Sequence, residues 1–245
     1  MSSRPSTAML LAAGLGTRMR PLTDRTPKPL LPLGHRPLID HALDRLAEAG
    51  VETVVVNAHW HAQQLAAHLL ARADRLPHTI LRPEAELLET GGGVKAALAQ
   101  LGAAPFLVVN GDAFWVDGPH PALLRLADAF DAAEMDGVLL VHRTFQVHAD
   151  VGFGDFAVDQ WGRLRRRREG EVVPYTYAGL QLIAPAILDA TPEGAFSMNL
   201  AWDRAISRGR LRAVVHDGLW FHLSTPDDLA EAETMLQARL TGDAR

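Results

Sequence analysis

Three short stretches of the chain combine glycine with charge. The first, Gly14-Leu15-Gly16-Thr17-Arg18, leads through Pro21-Leu22-Thr23 to Pro27-Lys28. It follows the apolar run Met9-Leu10-Leu11-Ala12-Ala13, which reads as a buried strand, so the glycines open a loop at a strand's end. Without a Cβ, glycine lets backbone N–H groups close on an anion, and Arg18 and Lys28 add charge for phosphate oxygens. Ala13, Gly14, Gly16, Thr17, Arg18 and Lys28 make a candidate triphosphate site. A dinucleotide fingerprint does not fit, because Met19 stands where it needs a third glycine and Pro21 falls where its helix would run. The second stretch, Glu89-Thr90-Gly91-Gly92-Gly93, reads as a loop ahead of a helix. Glycines there suit close approach to a flat ring, with Glu84 or Glu89 accepting from a ring N–H; a flexible loop is the plainer alternative. The third, Asn110-Gly111-Asp112, ends another apolar run. Asp112 is a hard oxygen donor of the kind Mg²⁺ takes alongside substrate phosphates, or else a turn former.

Such stretches need elements that bring several strand ends to one edge. The first two-thirds of the chain alternates strand-like and helix-like segments. Strands are expected at Ala8–Ala13, Thr53–Asn57, Thr79–Arg82, Pro105–Asn110 and Val138–His142. Helices are expected at Pro37–Ala49, His61–Arg72, Gly93–Leu101 and Pro121–Ala133. This alternation predicts an α/β fold with a Rossmann-like, mostly parallel sheet covered by helices on both faces. Ligands of such sheets bind beyond the carboxyl ends of the strands, which places Gly14 and Asp112 on the same edge. After Arg143 the pattern turns β-rich. A hairpin is expected around Asp159-Gln160-Trp161-Gly162, then a strand at Tyr175–Ile183, short helices at Pro185–Ala190 and Leu200–Arg208, and strands at Leu211–His216 and Leu219–Leu223. Pro226–Leu240 reads as a last helix, capped by Thr225 or Ser224. One domain spanning 1–245 is expected. Residues 8–142 would form its nucleotide-binding core, 143–225 a small β-rich sugar-binding and metal-completing part, and 226–240 the C-terminal helix.

Composition excludes several classes. A hydrophobic content of 48% with mean hydropathy +0.01 suits a globular core, and no apolar run reaches membrane-spanning length. The net charge of -5 does not favour nucleic acid. The chain has no cysteine, so disulfides and thiolate metal sites are out. Met1 to Thr7 lacks a secretory apolar core, and a cytoplasmic protein is the simplest expectation. Arg163 and Arg165 to Arg168 form the most basic patch; it reads first as a solvated hairpin arm, with a sugar-phosphate or dimer contact as the sharper reading. His59, His61 and His68 show no ligand spacing and read as structural or surface groups.

The Gly-x-Gly-Thr-Arg-x-x-Pro-Leu-Thr and Pro-Lys pattern, continued by Leu88 to Gly93, Asn110-Gly111-Asp112 and Trp220 to Pro226, resembles the sugar-phosphate nucleotidyltransferases over most of the chain. Within that family the pattern is most similar to the N-acetylmuramate 1-phosphate uridylyltransferases of cell-wall recycling, with the mannose-1-phosphate guanylyltransferases close behind. The resemblance implies nucleotidyl transfer from UTP to a sugar 1-phosphate, with Mg²⁺ as cofactor and pyrophosphate as product. GTP with mannose 1-phosphate is the alternative, and a non-catalytic nucleotide-sugar sensor a more distant one. It implies catalytic roles for Arg18, Lys28 and Asp112, nucleotide contacts from Glu89, Gly91, Gly92 and Asn110, and sugar contacts from Gly154, Asp155 and Gly179. The partners it implies are a nucleoside triphosphate and a sugar 1-phosphate, bound by a monomer or small homo-oligomer. One departure stands out: where the muramate enzymes carry Trp-x-Asp-x-Gly-Thr, with a second metal carboxylate, this chain has Trp220-Phe221-His222-Leu223-Ser224-Thr225. Imidazole is a poor Mg²⁺ ligand. The expectation is therefore that Asp112 is the sole protein carboxylate on the metal, and that His222 donates a hydrogen bond to phosphate or metal-bound water.

Overall fold

The computed structural model describes residues 4–147 and 151–241; Met1, Ser2 and Ser3, part of the segment read above for a secretory core, lie outside them. The chain opens with β1 (Thr7–Leu11), passes a minute hairpin of β2 (Pro32–Leu33) and β3 (Arg36–Pro37), and enters α1 (Leu38–Glu48). Then come β4 (Thr53–Ala58), α2 (Ala62–Ala71), β5 (His78–Pro83), α3 (Glu89–Ala96), α4 (Leu98–Leu101) and β6 (Phe106–Asn110). The second half holds β7 (Phe114–Val116), α5 (Ala122–Ala129), β8 (Gly137–Arg143), β9 (Phe156–Val158), β10 (Leu164–Arg166) and β11 (Tyr175–Ile183). It closes with α6 (Asn199–Ser207), β12 (Leu211–Val215), β13 (Leu219–Phe221) and α7 (Pro226–Thr241).

Among the described residues, nine of these strands form one mixed sheet, parallel at its core. β1 lies between β4 and β6, parallel to both, and β5 continues the parallel run beyond β4. β11 runs antiparallel beside β6 and is followed by β8, with β12 parallel to β8 at that side. Alternation along the strands sets the two faces. Ala8, Leu10, Val54, Val56, Leu107 and Val109 point into one core layer with residues of α1, α2 and α5. Met9, Val55, Phe106 and Val108 point into the other, against residues of α3 and α6. Burying each Val, Leu, Met or Phe among these stabilises the fold by ~1.5–3 kcal/mol, so helices are held on both faces.

The β9–β10 hairpin extends the main sheet, because Phe156 pairs with Tyr175 of β11. One expectation changes: the helix expected over Gly93–Leu101 starts earlier, at Glu89, so Gly91, Gly92 and Gly93 lie inside α3.

A third apolar cluster matters for the site. Met19, Leu31, Leu33 and Leu38 pack with Phe114, Phe221, Leu223, Leu229 and Ala232. It joins the loop after β1, the β7–β13 ribbon and α7. α7 starts with a reciprocal cap: the Asp228 N–H donates to Thr225 Oγ1 at 3.2 Å, while Asp228 Oδ2 accepts from the Thr225 N–H at 2.7 Å and the Ser224 N–H at 2.9 Å. No helix among the described residues is long and apolar enough to cross a membrane.

Candidate active site

The loop after β1 walls a cavity of about 310 Å³ together with Lys28, Asn57, Glu89, Thr90, Asn110 and Asp112. Strand register creates it: Leu11 is paired with Asn57 on one side and Asn110 on the other, so three strand ends present one row. Fully buried Met19 anchors the loop's far end. Gly16 has φ +62, and its carbonyl accepts from the Met19 N–H at 2.9 Å and from Thr23 Oγ1 at 2.7 Å. A Cβ there would meet Thr23 Cγ2 at 2.9 Å, so the tight turn requires glycine. Among the described residues, the N–H groups of Gly14 to Arg18 donate to no protein acceptor, and the Arg18 side chain has no partner. Both sets of donors therefore remain available to an anion. Lys28, 8% exposed, donates through Nζ to Asp112 Oδ2 at 2.6 Å. The pair gives the buried Lys28 ammonium a counter-charge, which offsets the cost of burying it.

A second cavity of about 510 Å³ continues from the first, sharing Leu11, Arg18, Thr90 and Asn110 with it. It runs between β11, β10 and α6. Asp155, Arg166, Thr176, Tyr177, Asn199 and Trp202 contribute to its walls, and His222 completes it. Asp155 is set by its neighbours: Oδ2 accepts from Thr176 Oγ1 at 2.7 Å and from the Tyr177 N–H at 2.9 Å. Tyr177 meets Trp202 edge-on at 4.7 Å, and Trp202 Nε1 donates to buried Gln181 at 2.8 Å. Burial, and then the nearby Asp112 charge, hold the Tyr177 hydroxyl well above the usual phenol range, so it stays protonated.

A loop of free donors ending in a cation, joined to a polar second chamber, is a general nucleotide-plus-acceptor layout; comparison with known proteins sharpens it. The MobA-like NTP transferase domain matches residues 8–190. The chain belongs to that family, among its sugar-1-phosphate nucleotidyltransferases. It is similar to the N-acetylmuramate alpha-1-phosphate uridylyltransferase of Caulobacter vibrioides, 41% identical over 96% of this chain and 99% of that one. The enzyme of the same description from Neisseria meningitidis is 35% identical over 94% and 98%. The fold is shared with UDP-glucose pyrophosphorylase in complex with UDP-glucose, with TM-score 0.78, 18% identity and coverage of 95% and 98%.

Nucleotidyltransferases of this family typically use a divalent metal. Among the described residues, no group of three or more His, Asp or Glu side chains could hold a metal ion. Asp112 presents a carboxylate beside Lys28 in the first cavity, its side chain 41% exposed. That donor set fits an ion bound chiefly by substrate phosphates and water, which is how Mg²⁺ is commonly held. His222 stands in the second cavity, its ring 5.6 Å from Trp220. Burial holds its imidazole below the ordinary range; Asp228 and Asp112 act against this, while Arg18 and Lys28 reinforce it. A neutral ring with an N–H to donate is the result.

The structure brings Ala13, Gly14, Gly16, Thr17, Arg18, Lys28, Glu89, Asn110 and Asp112 onto one cavity wall and Asp155 and His222 onto the adjoining one. It does not bring Gly91 or Gly92 there. A Cβ on Gly91 would collide with the Phe196 ring, and one on Gly92 with the Gly194 carbonyl. Their N–H groups donate to Phe196 O at 2.9 and 3.0 Å. The close approach they permit is to the chain's own Gly194–Met198 segment, ahead of α6. Glu84 is likewise spent internally, accepting from Asn57 Nδ2 at 2.7 Å and from the Leu88 N–H at 3.1 Å. Gly154 and Gly179 do not line the second cavity; Gly154 lies against Val173, and Gly179 against Ala113 and Asn110.

Sequence reasoning missed Asn57, whose Oδ1 accepts from the Ala12 N–H at 2.7 Å and ties the loop to Glu84. Its signal was a lone polar residue ending the run Val54-Val55-Val56, buried at 2% exposure. Thr176 and Trp202 were also missed, and nothing local marks them.

Proposed function

We propose that this enzyme transfers uridylyl from UTP to N-acetylmuramate 1-phosphate with Mg²⁺, releasing pyrophosphate. The observation that carries this is the continuity of the two cavities through Arg18, Thr90 and Asn110, which lets a triphosphate and a sugar phosphate share one reaction centre. The muramate and uridine assignments draw support from the relatives at 41% and 35% identity.

In this reading an oxygen of the sugar phosphate attacks the α-phosphorus, the α–β bridging bond breaks, and pyrophosphate departs. A phosphate monoester is already anionic, so the chain need not supply a strong base. The Gly14 to Arg18 N–H groups and the Arg18 guanidinium bind phosphate oxygens and offset the charge that builds on them. Lys28 exchanges Asp112 for phosphate when the triphosphate arrives, which frees the carboxylate. Asp112 would then hold Mg²⁺, whose contribution when bound is to neutralise phosphate charge. His222 donates its N–H to a phosphate oxygen or a metal-bound water. Asp155, already oriented by Thr176, keeps Oδ1 for a sugar hydroxyl.

The test is pyrophosphate release across UTP and GTP, each paired with N-acetylmuramate 1-phosphate, N-acetylglucosamine 1-phosphate and mannose 1-phosphate. The highest kcat/KM is expected for UTP with N-acetylmuramate 1-phosphate, and none in excess chelator. Preference for GTP with mannose 1-phosphate would replace this reading with the guanylyltransferase one.

A further inference from the structure

We infer that Arg166 is the specificity residue that reads the carboxylate of the sugar substrate; this rests on the muramate reading above. N-acetylmuramate differs from N-acetylglucosamine by a lactyl ether, which carries a carboxylate. An enzyme that selects the acidic sugar needs a cation at the sugar end, away from the phosphates. Two arginines line the second cavity, Arg18 and Arg166. Arg18 also lines the first cavity and belongs to the phosphate end, whereas Arg166 lines the second alone.

Arg166 is built for the task. It sits on β10, and its guanidinium lies over the fully buried Phe156 ring at 4.7 Å and the Trp202 ring at 5.6 Å. From α6, Asp203 Oδ1 accepts from its Nε at 2.6 Å, and Asn199 Oδ1 accepts from Nη2 at 2.8 Å. Those two contacts and the two rings fix the plane of the fork. Two of the guanidinium's five N–H donors are thereby used; the remaining three, including both on Nη1, have no partner among the described residues. A planar fork with an open edge suits a carboxylate. Asp203 is more than half exposed, so solvent screens its share of the Arg166 charge. The other arginines of the basic patch are placed differently. Arg165 is closed on Glu171 by bonds of 2.8 and 2.6 Å, and Arg163 and Arg167 lie over Trp161 and Phe153, off the cavity.

The test measures kcat/KM with UTP for N-acetylmuramate 1-phosphate and N-acetylglucosamine 1-phosphate in wild type, Arg166→Ala, Arg166→Lys and Asp203→Ala. In Arg166→Ala the acidic-over-neutral ratio is expected to fall ~10- to 100-fold, the loss of one charge-assisted pair. Arg166→Lys, which keeps charge but not the fork, should fall between Arg166→Ala and wild type. Asp203→Ala should keep the wild-type ratio within about threefold, because it removes a holding contact and not the reading edge. An equal loss on both sugars in Arg166→Ala, or a ratio lost alike in Asp203→Ala, assigns Arg166 a purely structural role and overturns the inference. A wild-type preference that survives in Arg166→Ala overturns it while leaving the muramate reading intact. A wild type that prefers the neutral sugar overturns the muramate reading itself, and this inference with it.

Discussion

The two ends of the site are built in opposite ways. The end proposed for the phosphates is mostly one contiguous loop, Ala12 to Arg18, with the backbone N–H groups of Gly14 to Arg18 unengaged by the described protein residues, completed by Lys28 and by Asp112 just after β6. The end proposed for the sugar has no such loop; its wall takes Asp155 from the turn ahead of β9, Arg166 from β10, Thr176 from β11, Asn199 and Trp202 from α6, and His222 from the chain after β13. Backbone donors recognise any phosphate, so the first end can be written as a short motif. Side chains gathered from distant segments distinguish one sugar from another, and each depends on packing to be in place.

Asp112→Asn should be the most damaging change, lowering kcat by ~100- to 1,000-fold in a Mg²⁺ pyrophosphate-release assay, with an unchanged far-ultraviolet circular dichroism spectrum. Activity within tenfold of wild type would mean the phosphate end works without its carboxylate. Arg18→Ala and Lys28→Ala should each cost ~10- to 100-fold in kcat/KM for both substrates alike, since phosphate is common to them. A loss confined to one sugar would blur the division between the ends. At the sugar end, Asp155→Asn should raise KM for the sugar phosphate by ~3- to 10-fold and leave KM for UTP near wild type. His222→Ala, at the junction, should cost less than Asp112→Ala does, roughly threefold to tenfold, as expected for one hydrogen bond to a phosphate oxygen or bound water. Wild-type kinetics would make the ring inert.

The smallest effect concerns stability. Burial holds His142 of β8 and His216 below the ordinary imidazole range; the two rings are 5.9 Å apart, and the nearby His216 lowers His142 further. The folded chain thus binds fewer protons than the unfolded chain just below pH 6.5, the ordinary value. Stability should therefore fall as pH drops through that range. Urea midpoints at pH 7.5 and 5.5 should show the decline, and His142→Asn should flatten it. An equal slope in the variant would point to other groups.

What the sequence alone determines here is whatever depends on neighbours in the chain. Strand and helix alternation follows from apolar spacing, and β11 matches the expected Tyr175–Ile183. The phosphate loop follows from glycines and cations placed right after a strand. The Thr225 cap on α7 was legible because a cap is local. The tertiary structure alone decides where glycine spacing is spent. In Gly14 to Thr17 it opens the backbone to a ligand, yet in Gly91 and Gly92 it lets the Phe196 segment pack on α3, and no local signal separates the two uses. It also sorts five chemically equal arginines of one hairpin, closing Arg165 on Glu171 and placing Arg166 on the wall of the second cavity. It buries Glu84 on Asn57, removing from the site a carboxylate the sequence offered it. The Arg165–Glu171 pair closes within six residues, but the contacts that hold Arg166, Glu84 and the Gly91–Gly92 pair join segments far apart in the chain, and the sheet's register and the packing of α3 and α6 bring those within reach.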